Sequence, residues 1–174
     1  MNSSSFGKFF ITEDLISLSG PELHPKKNML NSFLKQEFTY EEINEENLGE
    51  AFLFCLEKAY TNNEKIVMER MFKNFDALSL RGAVIKIAGK IVGATVAECS
   101  GEAVIIHIEK AEKDVRGAYA GINNLFLKNS VPDTMLVNRE DDMGLSNLRK
   151  AKLSYKPYCM EEKFIGVFNE IITR

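Results

Sequence analysis

Apolar positions repeat at two periods along the chain, and the switches between them mark its elements. After Pro25, a residue suited to the first turn of a helix because it has no N–H to leave unpaired, Met29, Leu30, Phe33 and Leu34 recur at helical spacing. Phe38-Thr-Tyr-Glu-Glu-Ile43 alternates as a strand. Asn44 is a candidate N-cap, and Leu48, Ala51, Phe52, Cys55, Leu56 and Ala59 then form the clearest amphipathic stripe. Met68, Met71, Phe72 and Phe75 make a second stripe over about 63–75. Beyond it the period shortens to two. Ala83-Val-Ile-Lys-Ile87 and Ile91-Val-Gly-Ala-Thr-Val96 flank a turn at Gly89, and Gly93 predicts a bulge or a close backbone approach. Ala103 to Glu109 reads as the next strand, Gly117 to Lys128 as a helix, and Thr134 to Val137 as a short buried strand.

A polar loop follows over 138–144. Leu145 to Tyr155 reads as a helix stopped by Pro157, with Arg149, Lys150 and Lys152 outward and Leu148, Ala151 and Leu153 partly inward. Tyr158–Met160 and Phe164–Phe168 close the chain as a hairpin. Runs of strands broken by single helices imply an α+β class with a mixed, twisted sheet. At the start, Phe9–Ile11 and Asp14–Leu18 form an apolar lead-in broken by Gly20-Pro21. With the helix after Pro25 it predicts a helical arm over residues 1–37, outside the sheet, and a main domain over 38–174.

Composition narrows the function. With 174 residues, 45% of them hydrophobic, the chain can pack one domain plus an arm. A net charge of −3 gives no global attraction to nucleic acid or anionic lipid, so such binding needs a local basic patch. No apolar run is long enough to span a bilayer and no leader pattern is evident, so the expected location is cytoplasmic. Cys55, Cys99 and Cys159 sit in apolar contexts without metal-ligand spacing, and are expected to be reduced core thiols. The lack of a Walker loop or a His-Glu-x-x-His argues against a P-loop enzyme or a metal hydrolase.

The candidate chemistry gathers at one elbow, His107-Ile-Glu-Lys-Ala-Glu-Lys-Asp-Val-Arg-Gly-Ala-Tyr119, where a strand gives way to a helix. Helix-start amides lack internal partners and favour anions there. His107 and Glu109 are two residues apart, so on a regular strand they share a face, and either is a candidate general base. The ordinary alternatives are a satisfied core histidine and a salt bridge from Glu109 to Arg116 or Arg139. Lys26, Lys27, Arg116, Arg139, Arg149, Lys150 and Lys152 are candidate phosphate contacts if the fold brings them together.

The element order, with a charged elbow after the fourth strand, resembles the GNAT acyltransferase fold. Three stretches resemble the phosphatidylglycerol lysyltransferase C-terminal-domain family, which is GNAT-like and Fem/lysyltransferase-related. They are Leu23-His-Pro-Lys-Lys-Asn28 with Phe33, Ile106-His-Ile-Glu-Lys-Ala111 with Arg116-Gly-Ala-Tyr119, and Val137-Asn-Arg-Glu-Asp-Asp-Met-Gly144 with Leu148-Arg-Lys-Ala-Lys-Leu-Ser-Tyr155. Members typically carry two GNAT-like domains in tandem, and this chain looks like the second. The resemblance implies aminoacyl transfer from aminoacyl-tRNA to a lipid or another amine or hydroxyl acceptor, with a second GNAT-like domain or a homodimer completing the groove. A non-catalytic GNAT-like module binding RNA or a partner protein is the first rival. A coenzyme A-dependent N-acetyltransferase is the second. Aligning on Gly117 puts Asp114 and Tyr119 where usual acetyltransferases have Gln/Arg and a small residue for the pyrophosphate, so coenzyme A is not expected, and the cysteine spacing gives no expectation of a metal. The expected pocket lies between His107, Glu109, Arg116, Tyr119 and Asn138, with Gly117, Asn28 and the basic residues above as further binding candidates.

Overall fold

A computed structural model describes residues 5–140, 142 and 145–163 of the chain. Its centre is a seven-stranded sheet in the order β2-β3-β4-β5-β6-β1-β7. The strands are β1 (Ser5–Ile11), β2 (Thr39–Glu42), β3 (Arg81–Ile87), β4 (Lys90–Ser100), β5 (Ala103–Ala111), β6 (Leu136–Asn138) and β7 (Cys159–Lys163). Every neighbouring pair is antiparallel except β5 and β6. That parallel pair is joined by a crossover helix, as parallel neighbours require. The second strand expected over 164–168 lies outside the described residues.

The helices are α1 (Thr12–Ser17), α2 (His24–Leu34), α3 (Leu48–Glu57), α4 (Asn62–Lys73), α5 (Ala118–Asn129) and α6 (Ser146–Leu153). Two apolar clusters divide them. One joins Leu15 of α1, Leu30 and Phe33 of α2, and Ile122 and Phe126 of α5 to Phe10, Val104 and Ile106 of the sheet. The other joins Phe54 and Cys55 of α3, and Met68 and Phe72 of α4, to Val84, Val96 and Ile108. The two expected stripes on α3 and α4 therefore cover one face. Asn44 is not the N-cap of α3, which is Asn47; its Oδ1 instead accepts from the amides of Glu46 and Asn47, on the turn leading into the helix.

The expected arm needs correction. Its first segment is β1, which inserts between β6 and β7, with Phe10 opposite Val137 and Lys8 opposite Met160. An apolar triplet at a chain end reads as a lead-in, but β6 has a free edge and Phe10 packs from β1 at 1% exposure. The helical part, α2, packs on α5 through Leu30 and Phe33, while Met29 and Leu34 stay exposed. Two cysteines also depart from expectation. Cys55 is buried, and burial pushes its thiol up to about 12. Cys99 and Cys159 are exposed.

Two irregularities shape the open end of the sheet. β5 and β6 pair only over Ala103–Leu136, Val104–Val137 and Ile105–Asn138, after which β5 runs on to Ala111 without a partner on that side among the described residues. The expected divergence of these two strands is therefore present. A bulge interrupts β5 as well, since Val96 pairs with Ile108 and Ala97 with Ile106, leaving His107 over. The alternation changes phase there: Val104 and Ile106 face the α5 side, Ile108 the α3–α4 side.

Candidate functional site

The bulge turns Glu109 toward α5, where Asn123 Nδ2 donates to its Oε2 at 2.8 Å. Arg139, directly after β6, closes on the same carboxylate, with Nη2 2.5 Å from Oε1. Both side chains are largely buried, at 10% and 12% exposure. The guanidinium lies 4.8 Å from the Tyr155 ring centroid and 5.8 Å from that of Phe10. Its other terminal nitrogen, Nη1, is buried without a hydrogen-bond partner among the described residues. An unpaired buried donor on a charged group is costly, so this nitrogen is a candidate contact for an acceptor.

Two further cations converge on it. Lys26 of α2 sits with Nζ 4.3 Å from the Tyr155 ring centroid, and its pKa is lowered by burial and then by Arg139, with Glu109 opposing. Lys152 of α6 donates to the Arg139 carbonyl. Burial and then Arg139 push Lys152 down to about 8. Arg139, Lys26 and Lys152 thus gather about Glu109 at the point where β5 and β6 part. Cations clustered in this way favour an anion or a developing oxyanion.

A buried ion network holds this arrangement in place. Lys8 of β1 meets Asp142 at 2.6 Å, with both side chains at 2% exposure or less. Arg149 of α6 grips the same carboxylate through Nε at 2.9 Å and Nη2 at 3.0 Å. The network ties α6 to β1 and so delivers Lys152. On its other side the loop is held by His107, whose Nδ1 lies 2.7 Å from Glu140 Oε1 and whose Nε2 lies 3.4 Å from Glu98 Oε2. The Glu140 hydrogen bond raises the His107 pKa, against burial. Glu140 itself has φ of +54°, and its amide donates to Asn138 Oδ1.

The expected residues therefore separate. Glu109, Arg139, Lys26 and Lys152 meet in one site, with Asn138 and His107 bracing the loop beside it. Lys152 turns inward although its spacing reads as solvent-facing, whereas Ala151 and Leu153 are exposed. Arg149 is engaged by Asp142, and Lys27 lines a separate hollow with His24 and Leu18. Asn28 and Lys150 are exposed. Arg116 is exposed too, its carbonyl accepting from Gln36 Nε2, so the partner of Glu109 is Arg139 rather than Arg116. His107 and Glu109 do not share a face as on a regular strand, because the bulge lies between Ile106 and Ile108. Sequence reasoning missed Lys8, Phe10, Asn123, Asp142 and Tyr155 as site residues. The signal for Lys8 was a lone cation in an apolar triplet's strand, and for Tyr155 its place in the third family-like stretch.

Gly117 caps α5 at φ of +83°. A Cβ there would lie 2.2 Å from the Met29 carbonyl oxygen, so its smallness seats α2 against the elbow. Tyr119, 36% exposed, comes two residues later; burial and then Tyr60 push its hydroxyl pKa up.

Residues 8–166 match the sequence model of the phosphatidylglycerol lysyltransferase C-terminal family. The chain belongs to that family. An uncharacterised protein of Mycoplasmoides gallisepticum is 27% identical over 95% of this chain and 57% of its own length. A crystal structure of a conserved protein of unknown function from Bacteroides thetaiotaomicron superposes with a TM-score of 0.84 at 31% identity, over 92% of this chain and 58% of that one. L-PGS from Bacillus licheniformis superposes at 0.65 and 15% identity, over 91% and 58%. The fold is GNAT-like, with tandem GNAT proteins among its structural neighbours. The chain spans a little over half the length of these relatives. No helix among the described residues is long and apolar enough to cross a membrane.

Proposed function

We propose that this domain transfers an aminoacyl group from aminoacyl-tRNA to an amine or hydroxyl acceptor, a lipid headgroup being the acceptor that the family's name points to. The observation that carries the reading is the buried Arg139 Nη1, without a hydrogen-bond partner among the described residues, beside Lys26 and Lys152 at the divergence of β5 and β6. In the reaction the acceptor's nitrogen or oxygen bonds to the acyl carbon, and the bond from that carbon to the ribose oxygen of the tRNA breaks. Arg139 and Lys152 stabilise the tetrahedral oxyanion. Glu109 takes the acceptor's proton when substrate displaces part of its pairing with Arg139, and returns it to the leaving ribose oxygen. His107, whose two carboxylate partners favour its protonated form, is the less suited of the two candidate bases and serves to place the Arg139 loop. A companion GNAT-like domain completes the groove; relatives of nearly twice the length support this.

Coenzyme A is disfavoured as the donor. The Met29 carbonyl occupies the space beside Gly117, and Asp114 and Tyr119 flank the elbow. One observation favours the binding-module reading instead: both Glu109 oxygens are already engaged, at 2.5 and 2.8 Å. Transfer from radiolabelled aminoacyl-tRNA to phosphatidylglycerol vesicles or to a free amine separates the two readings. Glu109→Gln and Arg139→Lys are each expected to slow transfer about a hundredfold, measured at a temperature where circular dichroism shows the variant folded, because breaking this buried pair also lowers the thermal midpoint. Transfer that is indifferent to both would overturn the assignment, and micromolar acetyl-CoA binding by calorimetry would replace it with an acetyltransferase.

A further inference from the structure

α3 and α4 stand side by side over one face of the sheet, joined through the rings of Phe52 and Phe72, whose centroids lie 5.3 Å apart. Each buries one stripe, Ala51, Phe54 and Cys55 on α3 and Met68 and Phe72 on α4. Their outer sides should then be polar, and they are not. Leu53 is 65% exposed, Val67 53% and Ile66 46%. At helical spacing Gly49, Leu53 and Leu56 fall on the outer side of α3, and Ile66 and Val67 on that of α4. Apolar surface gathered on two adjacent helices marks a contact surface. Gly49 adds to it. It has no left-handed φ, and a Cβ there would meet nothing within 4 Å, so nothing inside the chain calls for a glycine. Close approach by a helix of another molecule would.

Charge selects the occupant. The exposed charges on α3 are acidic, Glu50 and Glu57, with Glu45 and Glu46 on the turn before it. Those on α4 are mainly basic, Lys65, Arg70 and Lys73 against Glu69. These three cations make no ion pair among the described residues, whereas Glu50 meets Lys86 at 3.0 Å and Glu57 meets Lys58 at 3.8 Å. An acidic helix beside a basic one makes a self-complementary face. A two-fold axis running along the pair sets α3 of each copy over α4 of the other, so that apolar sides meet and opposite charges face each other. The helices hold 10 and 12 residues, about 15 and 18 Å at 1.5 Å per residue, so the contact is small and the association weak.

We infer that the outer face of α3 and α4 pairs with the same face of a second copy of this chain, in a reversible two-fold dimer. Glu109 and Asn123 meet on the α5 side of the sheet, so this dimer leaves the site open and is separate from a companion domain at the groove.

The test is sedimentation equilibrium over a series from low to high micromolar concentration, at low and high salt. The unmodified chain is expected to show a monomer–dimer equilibrium that weakens with salt. Leu53→Asp and Gly49→Leu are each expected to weaken it about tenfold or more. Both should keep the unmodified thermal midpoint at a concentration where the chain is monomeric, because both positions face outward. Glu57→Arg and Arg70→Glu should each weaken association alone, and an equal mixture of the two should recover it, since each acidic position then meets a basic one across the two-fold. The dimer is wrong if the unmodified chain stays monomeric throughout, if Leu53→Asp associates normally, if mass grows past the dimer, or if the mixed variants fail to recover. A monomer that binds a hydrophobic dye, with that binding lost in Leu53→Asp, would also overturn the second copy and give the face to a different partner.

Discussion

Replacing Gly117 by alanine should detach α2 from the site, and the structure allows the cost to be worked out. The residue sits at φ of +83°, where a side chain costs about 1–2 kcal/mol. The added Cβ would lie 2.2 Å from the Met29 carbonyl oxygen and 3.1 Å from Phe33 Cβ. No rotamer relieves a clash with backbone, so α2 must lift by about 1 Å, loosening the packing of Leu30 and Phe33, at about 1–3 kcal/mol. The sum, about 2–5 kcal/mol, is a large part of the stability of a small domain. Gly121→Ala is the control. It gains up to about 1 kcal/mol of helix propensity, but its Cβ meets the Phe33 ring at 2.5 Å, a side chain that can be shortened. Urea unfolding followed by circular dichroism should give a lowered midpoint for both variants. Phe33→Leu should rescue Gly121→Ala and not Gly117→Ala, a coupling that a double-mutant cycle isolates. Gly117→Ala should also weaken anion binding, since Lys26 rides on α2. A wild-type midpoint for Gly117→Ala, or its rescue by Phe33→Leu, would refute the reasoning.

Three further outcomes are expected. Phosphate or pyrophosphate binding should weaken as pH rises through about 8, where Lys152 loses its charge, and Lys152→Met should remove that step; titration calorimetry at pH 7 and 9 checks it. The folded-state pKa of His107 is raised, so the stability from its contact with Glu140 is full below the ordinary value of 6.5 and is lost as pH climbs through the raised folded value. Glu140→Gln should flatten that part of the curve, and an unchanged slope in pH-dependent thermal melts would reassign the contact to packing alone. Under native conditions a thiol reagent should modify Cys99 and Cys159 quickly, and reach Cys55 only after denaturant is added, which a timed absorbance assay would show.

Much of the fold comes from local pattern. The stripes on α3 and α4, the hairpin about Gly89 and the entry to α5 at Gly117 all lie where spacing and turn chemistry put them, because each is settled by neighbours within a few residues. Gly93 was legible as a close approach: a Cβ there would meet Ile85 at 2.9 Å and Ile122 of α5 at 3.3 Å. The family was also legible, since charged and aromatic residues at fixed spacing in three stretches carry it, and so was the gap beyond Ile105 and Asn138. What the sequence could not show depends on partners far along the chain. β1 becomes a strand because β6 leaves it an edge. Lys152 turns inward because Asp142, held by Lys8 from the far end of the chain, fixes α6. Glu109 faces α5 and Arg139 because the bulge at His107 shifts the alternation by one residue, and no periodicity marks a bulge without its opposite strand. Local sequence determined which residues carry charge at the elbow; only tertiary pairing decided which cations gather about Glu109, because burial and register are properties of the packed sheet.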